Sequence, residues 1–505
     1  MKDDKKIQYN LIVGILSQAI ILVLGIIVPK LVLVNYGSEI NGLLSSITNI
    51  YSYIAIVEAG VAAASCQALY KPIAENDFKK ANSIISATNK YYHKTGIIYL
   101  ALILVFSIIY PILINTEIPY YVVVLVILFN GFGNVVNYFF HGKYLIFLKA
   151  DGKNFVRTGL ETFTNVFKHA SKIVFISLGF NVVMVQFIAM LASWLQMFFI
   201  YFYIKKRYSW IDLKATPDMG SISQSKYVFI HEINYLITSN VDTVVLTLFS
   251  DLKIVSVYSL YNLLFNTVNR VLCTIRDSFE FKIAYFFHKD KKVFSRMYEV
   301  FEIYYITFSF AIFTIMNYFV LPFLKLYTIN VNDINYINIH LPVLFVIINL
   351  ISAGRYPSEA MIHISGHFNE TKHSAIIESL INILFSIVLV HYFGIVGVLL
   401  GTIFSSLYRT FYLILYVNKK IIFKKVKNTL FCWCANFILF VVVLFINKKL
   451  VYSFNSYFSM IIFCIPYAII IFILYFLIIS LLFPSAFKQV LAIVKNIIFR
   501  KSFNR

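Results

Sequence analysis

Residues 11–34, LIVGILSQAIILVLGIIVPKLVLV, decide the fold. The run is broken only by Ser17, Gln18 and the pair Pro29-Lys30. About 20 apolar residues cross a hydrocarbon core of about 30 Å, so this stretch reads as a membrane span. Lys2, Lys5 and Lys6 ahead of it give the outline of a secretory signal. The apolar run is too long for one, however, and no small-x-small cleavage site follows it.

The rest of the chain repeats the pattern. Of 505 residues, 60% are hydrophobic and 13% charged, and the mean hydropathy is +0.79. A soluble domain carries about 25% charged residues. The composition therefore excludes a soluble multi-domain enzyme, a disordered chain and a fibrous one. Further apolar runs lie at 42–69, 95–115, 120–140, 155–178, 182–204, 231–250, 255–285, 300–324, 340–362, 373–391, 392–417, 430–447 and 458–482. With the first, they predict an all-α integral membrane protein of about 14 transmembrane helices.

The net charge of +21 comes from 44 Lys and Arg against 23 Asp and Glu. Of those 44 cations, 32 fall at the termini and in alternate connections, while Lys253, Lys325, Lys448 and Lys449 fall on the opposite side. The positive-inside rule then places both termini in the cytoplasm. The surplus is topological charge, and no nucleic-acid partner is expected. The five cysteines, Cys66, Cys273, Cys432, Cys434 and Cys464, lie in apolar runs and read as small hydrophobes without disulfides or metal. His363, His367 and His373 have ligand-like spacing, but they sit in a short loop, and no metal is expected there.

An internal repeat appears at an offset of about 215 residues, the separation of Gly179 from Gly394 and close to that of Gly152 from Gly366. Lys205-Lys206 closing one span answers Lys419-Lys420 closing another. The expected organisation is a six-helix lobe at 1–215, a second at 216–420, and two added helices with a basic tail at 421–505. An even number of spans per lobe relates the lobes in parallel, as in carriers that work by alternating access through a central cleft. The short connections leave no room for a soluble catalytic domain.

Ionisable groups inside the spans are the candidate functional residues, because each costs about 2.5–3.5 kcal/mol at mid-bilayer unless it faces a cavity or a partner. Glu161, Lys168 and Lys172 share one face of span five by their spacing of seven and four. Lys30, Lys168, Lys172, Arg270, Arg355 and Arg409 are expected to form a cationic cleft for an anionic group such as a phosphate or pyrophosphate. Pairing within the membrane, for instance of Arg355 with Glu359 one turn away, is the structural alternative. Arg276 and Lys282 can instead reach the headgroup layer. Glu58, Asp242 and Glu378 are candidates for coupling transport to H⁺ or Na⁺; no other cofactor is expected.

Several stretches together resemble a family. Tyr36-Gly37-Ser38-Glu39-Ile40-Asn41-Gly42-Leu43, Glu58-Ala59-Gly60, Leu69-Tyr70-Lys71-Pro72-Ile73-Ala74 with Asp77, and Asn240-Val241-Asp242-Thr243 occur in this order. Val257-Tyr258-Ser259-Leu260-Tyr261-Asn262, Arg355-Tyr356-Pro357, Glu378-Ser379-Leu380-Ile381-Asn382 and residues 394–402, GIVGVLLGT, follow. The set resembles bacterial polysaccharide and O-antigen repeat-unit flippases of the multidrug/oligosaccharidyl-lipid/polysaccharide exporter superfamily. It runs over spans one to twelve and thins over spans three and four.

The resemblance implies a flippase that moves undecaprenyl-pyrophosphate-linked oligosaccharide from the inner to the outer leaflet of the plasma membrane. Its partners would be that lipid-linked substrate, the bilayer and the polysaccharide polymerase machinery, and capsule or O-antigen synthesis would be the setting. Glu58, Asp242, Arg355 and Glu378 match recurrent polar positions of the family, and Lys30 stands where a basic residue is common. A cation-coupled drug or metabolite antiporter of the same superfamily is the alternative, disfavoured by a cationic cleft. A polymerase or glycosyltransferase is a weaker one, since the chain has no D-x-D motif, and a nucleotide-driven pump would need a phosphate-binding loop that it lacks.

Overall fold

The computed structural model describes residues 3–58, 60–222, 226–449 and 454–491, and among them there are helices and no strands. In chain order the helices are α1 (Asp3–Ile54), α2 (Val61–Ala74), α3 (Phe78–Leu113), α4 (Tyr120–Val136), α5 (Gly142–Ala150), α6 (Asn154–Ser177), α7 (Val182–Arg207) and α8 (Lys226–Phe249). They continue as α9 (Leu252–Lys289), α10 (Lys291–Tyr327), α11 (Leu341–Ser365), α12 (Phe368–Phe393), α13 (Ile395–Val417), α14 (Lys427–Lys449) and α15 (Tyr457–Leu482). The chain forms two compact units, Met1–Val257 and Tyr258–Arg505.

Among the described residues, ten helical segments are long and apolar enough to cross a membrane. The difference from fourteen has a local cause. Expected spans one and two run together as α1, bent at Gly37, whose φ of 82° and ψ of 176° leave the helical region. Expected spans five, seven and eight are α6, α8 and α9, which are long enough but too polar: α6 carries Arg157, Glu161, Lys168 and Lys172. Polar helices of this length in a multi-pass protein need a polar surface to face.

Packing is inverted relative to a soluble protein. Ile461, Ile465, Ile469 and Ile473 of α15 lie exposed, whereas Ser46, Ser65, Thr314, Asn382 and Asn436 are wholly buried. Lipid offers apolar side chains a good solvent, so the helices are held by close packing and polar contacts between them. In the first unit, Tyr110 donates from its hydroxyl to Ser46 Oγ at 2.8 Å, and Thr247 to the same oxygen at 2.8 Å, tying α1 to α3 and α8. In the second, Thr314 meets the Tyr475 hydroxyl at 2.9 Å and Asn436 donates to Thr307 at 3.4 Å, fastening α15 and α14 to α10.

The glycines at positive φ recur at the repeat offset. Gly152 (69°) and Gly366 (75°) each end a helix, and Gly179 (78°) and Gly394 (54°) each turn one span into the next. Equivalent backbone breaks 214 and 215 residues apart are a stronger mark of repetition than similar apolar runs, because left-handed φ is a specific demand on sequence.

Candidate functional site

The first unit holds an open cavity of about 610 Å³ among its helices, lined by α1, α3, α4, α5, α6, α7 and two irregular turns. Both irregular turns occur where a regular helix would have hidden the groups that matter. The second expected span breaks at the 3-10 turn Ala55–Glu58, followed by Gly60 at φ 82°, and this leaves Glu58 on the cavity wall. The rod of α4 and α5 loosens into a π turn at Asn137–His141, which turns Asn137, Tyr138 and His141 to the same space. Such π turns are frequent at functional sites because they break the regular spacing of side chains.

Glu58 is held rather than loose. Tyr92 donates its hydroxyl to Oε1, and Tyr138 also hydrogen-bonds the carboxylate. Tyr138 packs in turn against Tyr99 with ring centroids 4.7 Å apart. Gly142 makes this possible: a Cβ there would stand 2.5 Å from Cε1 of Tyr92.

Most of the polar wall is uncharged. Asn130, Asn134 and Asn137 recur at helical spacing along one face of the α4 rod, and Asn165, Gln186 and Gln196 face the space from α6 and α7. Asn130 Nδ2 donates to the carbonyl of Val126 at 2.9 Å and to Gln186 Oε1 at 3.3 Å. Those two bonds use both amide protons of Asn130, so toward a guest it is an acceptor through Oδ1 rather than a donor. This amide face was not picked out from sequence, although the spacing of the three asparagines in residues 130–137, NGFGNVVN, carries the signal.

The expected cationic residues scatter. Lys168 lines the cavity with Glu161, as their shared helix face predicts, and Glu161 accepts from Arg157 Nε at 2.9 Å. Lys172, one turn further, is half-buried and does not line it. Lys30 is half-buried in α1, and Asp242 is 4% exposed in α8; neither lines the cavity. With Glu58 and Glu161 against Lys168, the wall of this cavity carries no excess of positive charge.

In the second unit Arg270 is exposed on α9, while Arg355 and Arg409 converge on one carboxylate. Arg355 Nη1 lies 2.5 Å from Glu378 Oε1, and its Nε lies 3.9 Å from Glu359. Arg409 Nε lies 3.8 Å from Glu378 Oε2, and its Nη1 donates to the Thr371 carbonyl at 2.9 Å and to Ser374. The expectation of free guanidinium groups at 355 and 409 is therefore corrected. Both are neutralised by carboxylates of α11 and α12, the arrangement that burial of charge in a low dielectric demands. Arg276 lies over the Tyr356 ring at 4.3 Å, and the side chain of Lys282 lies outside the described residues. His367 Nδ1 meets the Tyr416 hydroxyl at 2.9 Å.

A multi-pass helical protein with a polar cavity among its helices has the construction of a membrane carrier. Its fold is that of known ones. The structure of a lipid II flippase, MurJ, in an inward closed conformation, is similar with a TM-score of 0.69 at 14% identity, covering 93% of this chain and 98% of that one. Multidrug resistance MATE family transporters of the MOP superfamily are similar in an inward-facing conformation (TM-score 0.58, 14% identity, 83% of this chain and 98% of that) and in an outward-facing one (0.55, 13%, 85% and 97%). No protein-family profile and no curated protein sequence matches the chain.

Proposed function

We propose that the chain is a flippase for lipid-linked oligosaccharide, working by alternating access between two six-helix lobes. The observation that carries this reading is the wall of the cavity. Six carboxamides, with the rings of Tyr51, Tyr99 and Tyr138, give the wall neutral hydrogen-bonding groups and aromatic surface, which suits a neutral polyhydroxylated headgroup. A volume of about 610 Å³ is within the ordinary range for a bound small molecule or a short glycan. The likeness to a lipid II flippase supports the same class of cargo. Capsule or O-antigen precursors in a bacterial plasma membrane, with polymerase machinery downstream, fit the motif resemblance.

Glu58 is the best placed of the three coupling candidates, since it alone of them lines the cavity. A carboxylate held by two tyrosine hydroxyls can exchange a proton for a change in those hydrogen bonds. The antiporter reading would draw on the two carboxylates of the wall, but Glu161 is engaged by Arg157 and Glu58 by Tyr92. The test is translocation of a fluorescent lipid-linked oligosaccharide in proteoliposomes, with and without a pH or Na⁺ gradient. Asn130→Leu/Asn134→Leu should lower the rate at least tenfold with unchanged expression. Wild-type translocation indistinguishable from empty vesicles, or a double variant as fast as wild type, would refute the reading.

A further inference from the structure

On the far side of the π turn from the cavity lies a second recess, of about 380 Å³, between α5 and α7. His141 belongs to both walls, so the recess adjoins the cavity at that side chain. The recess is aromatic: Phe140, Phe198, Tyr201 and Phe202 line it and are 49–65% exposed, so they form an apolar face open to lipid.

Lys143 is set into this aromatic surface and is only 7% exposed. It donates to Asn89 Oδ1 at 2.6 Å and to the Phe139 carbonyl at 3.5 Å, and lies 5.3 Å from the centroid of the Tyr144 ring. Among the described residues no carboxylate lies within ion-pair distance of it. An ammonium has three protons to donate, so one remains after those two bonds. Beside it His141, 6% exposed, has Nδ1 without a hydrogen-bond partner among the described residues. A buried cation in a membrane protein normally faces an anion or water. Here the surroundings supply polar neutral groups, an open donor and an apolar trough. Lys143 also lies at a suitable depth: at 1.5 Å per residue it is about 35 Å along the rod from Tyr120, at a headgroup layer rather than mid-bilayer.

We infer that this recess is the docking site for the phosphate and first isoprenoid units of the lipid-linked substrate, with the phosphate on Lys143 and His141, the chain along Phe198 and Tyr201, and the sugar in the adjoining amide-lined cavity. This rests on the flippase reading and adds to it where the anionic part of the cargo binds. It also moves the phosphate site away from Arg355 and Arg409, whose charges are already balanced.

The test measures binding of sugar-free undecaprenyl phosphate to the full-length protein in phosphatidylcholine nanodiscs, by native mass spectrometry. Polyprenol and phosphatidylglycerol serve as competitors. Lys143→Gln should weaken binding at least tenfold, Lys143→Arg should restore most of it, and Lys325→Gln, exposed on α10, should leave it unchanged. Phe198→Ala should weaken the phosphate lipid and the polyprenol alike. Should Lys143→Gln instead lose monodispersity, His141→Phe supplies the same test of the phosphate contact. Binding unchanged in Lys143→Gln, or polyprenol competing as well as its phosphate, would overturn the site. So would phosphatidylglycerol displacing the probe at equal concentration, which would make the recess a general anionic-lipid site. Lys143-dependent binding without oligosaccharide translocation would refute the flippase reading and leave the recess as a polyprenyl-phosphate site. Translocation with Lys143-independent binding would do the reverse.

Discussion

Glu378 is 1% exposed and has each of its carboxylate oxygens near a different arginine. Removing one partner from a buried charge cluster leaves the others uncompensated, at a cost of about 3–5 kcal/mol. Glu378→Gln should therefore lower the thermal unfolding temperature sharply in detergent, and more than Asp242→Asn does. Equal stability of Glu378→Gln and wild type would show that the three charges are solvated. Gly142→Ala is a second case. A methyl group 2.5 Å from the Tyr92 ring must displace it, which costs about 1–3 kcal/mol and loosens the hydroxyl from Glu58. Transport in this variant should lose or shift its pH dependence, a change that stability loss alone would not give. At this scale the sequence singled out these charged residues but only part of their pairing. Arg355 with Glu359 is readable because one turn of helix fixes it; Glu378 joins Arg355 and Arg409 only through packing of α11, α12 and α13, which no local spacing encodes.

Elements were legible where apolarity was continuous and lost definition where function interrupts it. The α10, α12, α14 and α15 helices contain the apolar runs from which they were expected. Span two was expected as one run over 42–69 and is a helix, a 3-10 turn and a second helix. The motif Glu58-Ala59-Gly60 was picked out in sequence but not as a break; Gly60 takes φ 82°, and Tyr92 holds the Glu58 carboxylate from α3. The connection from α7 to α8 makes a separate prediction. Asp218 accepts from Lys80 Nζ at 2.6 Å and from the hydroxyl and amide of Ser221, and these bonds hold its carboxyl at about 2 against an ordinary 3.8. A depressed carboxylate contributes fully above its ordinary value, and the contribution fades as pH falls below about 4 and is lost through about 2. Hydrogen exchange over residues 209–222 should thus report an unchanged closed-state population across pH 5–8 after correction for intrinsic rates, and Asp218→Asn should lower that population, speeding exchange, throughout that range. Loosening of the wild-type connection between pH 5 and 7 would contradict the assignment.

For the whole molecule, composition and the repeat offset foretold a multi-pass helical protein, and the carrier fold agrees. What composition misjudged was the chemistry of the interior. Counting charges drew attention to Lys and Arg, whereas the cavity wall of the first unit is built mainly from amides and tyrosines, with Glu58, Glu161 and Lys168 as its charges. Neutral polar residues leave little trace in a charge count, yet under the proposed function they select the cargo: a hydroxyl-rich sugar would gain hydrogen bonds there, and a hydrophobic organic cation would not. The most direct measurement is protection of that wall. In a background with the five natural cysteines replaced, Ser193→Cys on α7 lines the cavity and can be alkylated by a water-soluble maleimide. The account predicts that saturating lipid-linked oligosaccharide slows alkylation at least fivefold while tetraphenylphosphonium leaves it unchanged. Protection by the cation, with none from the sugar-bearing lipid, would contradict it.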